Sequence, residues 1–337
     1  IALGCDYSCE QWILEWDGTA TAAFSAGTQA DVGSNKRTLT MGSSPITASV
    51  TLTVTDQNDP PHNIRLYQTR YASNVSAGEK FNPDWVTEIS KFGVLRFMDW
   101  SMTNNSDIVN FSQLADEDYF AWSKLFGDGD QSSATAFGPK GSLHPALICD
   151  LANLTECEIH VNVPVRCTDA FVTSFATYFR DNTTSKVNFE YSNECYHTGF
   201  NQYQYCRDQG DVEFAGDGLD TFQHGWKWYG YRSSQVMSII RSIYNDDTRW
   251  KGALCYQAVN TATLTNMILG FDAWKTEAGS SLFIRDFFHF HSAPYFGYLN
   301  PYLSGRGITN ITKAATAVVT SAGHGYSNGQ EIKIIIR

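Results

Sequence analysis

From Asn63 onward the chain alternates short apolar segments of strand character with longer segments of helical period, and this alternation constrains the fold more than any other feature. Strand-like segments fall at residues 64–67, 94–100, 158–164, 187–194, 252–258 and 287–293. Helical patterns fall between them at 83–92, 116–126, 169–179 and 233–244. Consecutive strands joined by helices run parallel, because a parallel pair needs a long crossover. The spacing therefore predicts β/α units, and a run this long predicts a (β/α)8-type, TIM-like barrel rather than an open sheet. Six units are visible, so the barrel reads as incomplete.

The flanks differ in composition. Residues 1–61 are rich in Thr, Ser, Ala and Gly, and 48–55 alternate polar with apolar side chains, the period of a half-buried strand. Gln57-Asn58-Asp59-Pro60-Pro61 breaks that strand. The organisation expected is a β-rich N-terminal domain over 1–61, the barrel over 62–305, and a β-like segment over 306–337 that starts a further module. That last segment ends in the strand-like Glu331-Ile332-Lys333-Ile334-Ile335-Ile336.

A net charge of −11 argues against nucleic acid as a partner, since phosphate binding needs clustered Lys and Arg. No apolar run reaches the roughly 18–20 residues of a membrane-spanning helix. The chain begins at Ile1 without a leader, as a mature or partial sequence would. Eight cysteines form an even set, and N-x-Ser/Thr sequons at Asn74, Asn104, Asn110, Asn153, Asn182 and Asn310 are candidate sites of N-linked glycans. Together they predict a secreted, disulfide-bonded glycoprotein, with Cys5–Cys9 and Cys195–Cys206 as local pairs. Zinc-ribbon spacing is absent, because no C-x2-C pair occurs.

The fourth strand-like segment, Val187-Asn188-Phe189-Glu190-Tyr191-Ser192, runs into a polar Asn193-Glu194 pair. A carboxylate at the carboxyl end of a parallel strand is well placed for general acid chemistry. Leu95-Arg96-Phe97-Met98-Asp99-Trp100 with Thr103-Asn104, Val161-Asn162-Val163-Pro164 with Thr168-Asp169, and Phe189 to Glu194 together resemble a group of secreted glycoside-hydrolase-like proteins. Those proteins are similar in turn to the large clan of retaining (β/α)8 glycosidases. The likeness covers roughly residues 60–300, with Ala293-Pro294-Tyr295-Phe296-Gly297 as a fourth match.

That resemblance implies Glu194 as acid/base, Asn193 as the amide that holds a sugar 2-hydroxyl, and Tyr295 as a tyrosine beside the nucleophile. Two departures stand out. Cys195-Tyr196-His197 follows Glu194 where the group has an aliphatic residue, Trp and Asn. The strand-seven glutamate that would act as nucleophile is not found, and retaining hydrolysis needs two carboxyl groups about 5–5.5 Å apart. The nucleophile is then expected from sequence beyond residue 337 or from another chain.

Asp99, Trp100, His160, Asp169, Tyr196, His197 and Trp226 are the candidate substrate-binding residues, the aromatic ones as sugar-stacking faces or as ordinary packing. Thr168 or Asp169 caps the helix that follows. Glu190 shares a strand face with Glu194 and needs a partner if buried, either Arg96 or Arg65. His289 and His291 alternate on one strand face but lack an obvious third ligand, and neither a metal nor a cofactor is predicted. Two functions follow. One is a glycoside hydrolase-like protein that acts on or binds a polysaccharide or oligosaccharide. The other is a non-catalytic extracellular structural or carbohydrate-binding protein that self-assembles through its terminal β segments.

Overall fold

The computed structural model describes residues 11–42, 49–117, 142–258, 260–293, 310–311 and 319–320. Tyr295, Cys5, Cys9 and the segments 118–126, 306–309, 312–318 and 321–337 lie outside the described residues. Six strands come first: β1 (Gln11–Asp17), β2 (Ala20–Phe24), β3 (Thr28–Gly33), β4 (Lys36–Thr40), β5 (Val50–Val54) and β6 (His62–Gln68). They form an antiparallel sheet in the order β3-β4-β1-β6 and a two-stranded antiparallel sheet, β2-β5. Leu14, Trp16, Ala22, Phe24 and Leu39 make a small core of their own.

The remainder is built on five parallel strands, β7 (Val94–Arg96), β8 (Glu158–Val163), β9 (Val187–Tyr191), β10 (Trp250–Gln257) and β11 (Phe288–Ala293), lying side by side in chain order. Short helices α1 (Ala72–Ser76) and α2 (Pro83–Ile89) precede β7. Then α3 (Pro145–Thr155) links β7 to β8, α4 (Asp169–Asn182) links β8 to β9, α5 (Asn201–Glu213) and α6 (Thr221–Tyr244) link β9 to β10, and α7 (Thr261–Glu277) links β10 to β11. The four-residue α8 (Ile284–Phe287) leads into β11. The described parts of the tail form one short antiparallel pair, β12 (Asn310–Ile311) and β13 (Val319–Thr320). No helix of the described residues is long and apolar enough to cross a membrane.

The expected (β/α)8-type barrel, read as incomplete with six units, is therefore corrected to a mixed α/β fold: a five-stranded parallel half-barrel with antiparallel sheets beside it. The expected first barrel strand, residues 64–67, is what changes most. It sits in β6 and pairs antiparallel with β1, Leu14 opposite Leu66 and Glu15 opposite Arg65. Charge favours this pairing, because Glu15 lies between Lys36 of β4 and Arg65 of β6 and forms ion pairs with both. Strand propensity alone does not distinguish a partner in one sheet from a partner in another.

The two faces of the parallel sheet are chemically opposite. On β9, Phe189 meets Phe175 and Phe179 of α4 and Tyr244 of α6 at ring separations of 6.4, 6.1 and 5.9 Å, while Tyr191 stacks near Tyr229 at 6.1 Å. Burying one such ring contributes about 1.5–3 kcal/mol. This is the face on which the helices pack, and it carries the main core. The helices are locally well specified. Thr168 caps α4 by accepting from the Phe171 amide, and Asp220 and Gln223 form a reciprocal capping box at the start of α6. Helices α6 and α7 touch backbone to backbone: a β-carbon on Gly230 would lie 2.0 Å from Met267 O, and one on Gly270 would lie 2.0 Å from Lys227 O.

Candidate functional site

The other sheet face carries polar side chains. Arg96 is in register with His160, Asn162 with Glu190, Glu190 with Ala253, and Cys255 with His291. Paired residues on parallel strands point the same way, so all five strands contribute to one polar row. Glu190 is its centre and is wholly buried. Its Oε2 accepts hydrogen bonds from Arg96 Nη2 and Asn162 Nδ2, each at 2.8 Å, and lies 2.9 Å from His160 Nε2. Burial pushes the carboxyl up, but His160 and Arg96 together outweigh it and hold Glu190 at about 2, so it is an anion.

Among the described residues its second oxygen, Oε1, accepts no hydrogen bond of good geometry, although the Cys255 thiol lies against the same carboxylate. Burial and that carboxylate push the thiol well above its ordinary range. The imidazole of His291 lies 5.5 Å from that of His160, ring to ring, and burial lowers its pKa.

At the carboxyl end of β9 the row meets a second network. Ser192 and Glu194 both take left-handed backbone conformations, with φ of 60° and 45°, unusual for residues with a β-carbon. This tight turn is held from three sides. Asn162 Nδ2 donates to Ser192 O at 2.6 Å, and Arg96 Nη2 donates to Asn193 Oδ1 at 2.8 Å. Asn193 Nδ2 donates to Asn104 Oδ1 at 2.9 Å, and Gln202 Nε2 bridges Asn104 Oδ1 and Asn193 O at 2.8 and 2.9 Å. Asn193 is buried by these bonds, and Glu194 beside it is half-buried, near enough to Arg96 for their charges to interact.

The sequence-derived candidates divide. Asn193 is bonded to Arg96, His160 to the Glu190 carboxylate that Arg96 also holds, and Glu194 lies within charge range of Arg96, with His160 in the buried row rather than on an open surface. Asp99 is exposed in the turn after β7. Trp100 is wedged against Phe97 and Trp85 at 5.1 and 6.4 Å. Asp169 opens α4 and pairs with Arg232 at 2.7 Å, while Thr168 is the cap. Tyr196 is buried in the core, His197 is exposed against Phe200 at 4.8 Å, and Trp226 packs half-buried on the core.

The cysteines are also corrected. The six that are described, Cys149, Cys157, Cys167, Cys195, Cys206 and Cys255, are free thiols. Cys195 and Cys206 do face each other, close enough for their thiols to share a hydrogen bond, but no S–S bond joins them. Among the sequon asparagines, Asn104 is committed to the turn network, while Asn110, Asn153 and Asn182 are exposed.

Cys255 and its proximity to His160, Glu190 and His291 are what sequence reasoning missed. The usable signal was a polar residue at the same inward parity on each successive strand. Compared with protein-family models, curated proteins and solved structures, the chain matches none.

Proposed function

We propose that the turn after β9 is the carbohydrate-directed site of an extracellular glycosidase-like protein, with Glu194 as its proton-transferring group. The observation that carries this reading is the immobilised Asn193 beside a half-buried Glu194, at the strand end where ligands of parallel α/β sheets bind. Asn193 spends one lone pair on Arg96 and one amide hydrogen on Asn104. Among the described residues one lone pair and one amide hydrogen are left unspent, and these would take a sugar hydroxyl. In that arrangement Glu194 protonates the glycosidic oxygen of a polysaccharide or oligosaccharide as the bond breaks.

A second reading, binding without turnover, is favoured by Glu190. It is the other carboxylate of the strand, yet it is buried and tied to Arg96, Asn162 and His160, so it does not serve as the nucleophile. A panel of plant, fungal and bacterial polysaccharides separates the two. Under the enzymatic reading the wild type releases reducing ends, and Glu194→Gln binds the same glycan but turns it over about 10²–10⁴-fold more slowly. Binding with no release by either protein supports the second reading. Failure to bind any glycan overturns both.

A further inference from the structure

We propose that His160, Glu190 and Cys255, with His291 as the fourth side chain, form a binding site for a divalent transition-metal cation, Zn²⁺ by its donor set. The site is distinct from the carbohydrate-directed turn and does not depend on it.

Position is the first argument. One ligand atom from each of His160, Glu190 and Cys255 lies within 4.8 Å of the others. A tetrahedral zinc ion with bonds of about 2.0–2.3 Å holds its ligand atoms about 3.3–3.8 Å apart, so small rotations of the side chains close the set. The three residues stand on β8, β9 and β10, the three inner strands of the sheet. The ligand positions are therefore set by backbone ladders on both sides rather than by loops. His291 is directly opposite Cys255 on β11, and its ring is 5.5 Å from that of His160.

The second argument is an unsatisfied atom. Among the described residues Glu190 Oε1 is buried and accepts no hydrogen bond of good geometry, with only the weak donor of the Cys255 thiol lying against the carboxylate, whereas Oε2 is saturated by its neighbours. A buried carboxylate oxygen left under-satisfied is costly, and a cation in contact with it removes the cost. Arg96 and Asn162, both on Oε2, then orient the carboxylate as outer-shell partners of a metal ligand do.

The third argument is donor chemistry. Imidazole, carboxylate and thiolate together suit zinc and disfavour magnesium and calcium, which take oxygen ligands. Cysteine binds as thiolate, so the cation displaces the Cys255 proton to solvent, and His160 binds through a ring nitrogen that carries no proton. The charges remain manageable. Thiolate and carboxylate supply two negative charges against the cation's two positive ones, leaving the single charge of Arg96.

The test uses the full chain, kept reduced and freed of metal, with Co²⁺ as a spectroscopic probe and Zn²⁺ as competitor. The expected result is one equivalent of Co²⁺ bound with a thiolate-to-cobalt charge-transfer band, displaced by Zn²⁺, and a thermal midpoint that rises with Zn²⁺. Cys255→Ser should lose the band and weaken Zn²⁺ binding at least 10-fold. His291→Ala, at the sheet edge, should weaken it while leaving the band. Cys206→Ser should leave both unchanged. Circular dichroism of each metal-free variant separates loss of ligands from loss of fold. The proposal is overturned if the folded wild type binds no Zn²⁺ at micromolar concentration. It is equally overturned if Cys255→Ser keeps the band and the affinity.

Discussion

Phe189 and Glu190 are adjacent on β9 and are both fully buried, yet they are held by unrelated forces. Phe189 is surrounded by the rings of α4 and α6, and any side chain of similar shape and volume would recover most of its contribution. Glu190 is anchored by groups from β7 and β8, each of which needs the carboxylate where it is. The helix-covered face is thus tolerant in identity and strict in volume, and the polar face is the reverse. A half-barrel can keep its packing while its inner row diverges, because the two faces share only a backbone.

The contrast predicts an ordered set of outcomes. The largest is from truncation on either face. Phe189→Ala should cost about 3–5 kcal/mol in denaturant unfolding through the cavity it leaves. Glu190→Ala should cost up to about 3 kcal/mol because Arg96, Asn162 and His160 lose the carboxylate oxygen they share. The two separate on repair: Phe189→Leu should regain much of the loss, whereas Glu190→Leu should not. Recovery by Glu190→Leu would erase the distinction between the faces.

Acid gives the next effect. The carboxyl of Glu190 is held at about 2 in the fold against 4.5 ordinarily, so its stabilising contribution is complete above pH 4.5 and drains away as the pH falls toward 2. Between those limits the wild type should lose about 3 kcal/mol more than Glu190→Gln, as read by chemical denaturation at each pH. Parallel pH profiles for the two proteins would refute this assignment.

The smallest effect has the opposite sign and lies outside the sheet. His224 is held between Asp211 and Asp217 at 2.8 and 3.0 Å. Burial lowers its pKa, but the two aspartates outweigh burial and raise it above 6.5. Its contribution is therefore complete below pH 6.5 and fades as the pH rises through the elevated value. The stability gap between wild type and His224→Gln should be widest in mild acid and close toward alkaline pH. A gap that does not vary with pH would show that the ring acts by packing alone.

Much of this was legible in the sequence, where the cause was local. The helix start at Asp169 follows from short-range patterns; the cap, expected at Thr168 or Asp169, is Thr168, and the strand expected over 187–194 begins at Val187 but ends at Tyr191, before the left-handed turn. Glu190 had two candidate arginines, and register decides between them: β7 reaches Glu190 through Arg96, while Arg65 is drawn to Glu15 in the other sheet. The helix over Asn201–Glu213 and the first half of α6 were missed because their apolar positions are diluted with Tyr, Gln and Gly. The polar row was hidden for a different reason. His160, Glu190, Cys255 and His291 are far apart in the chain, and only the sheet register brings them together. His289 and His291 alternate on one strand, and the sequence shows no third ligand beside them. In the sequence Cys255 belongs to an even set of cysteines, a pattern that points to disulfides rather than to a ligand.

The contact of α6 with α7 has an evolutionary consequence. Packed helices ordinarily drift by compensation, one side chain growing as the residue opposite shrinks. At Gly230 and Gly270 the facing atoms are main-chain carbonyls, which have no smaller variant. Neither position has a compensating partner, so substitutions there form a dead end in sequence space, and the crossing can be inherited only whole.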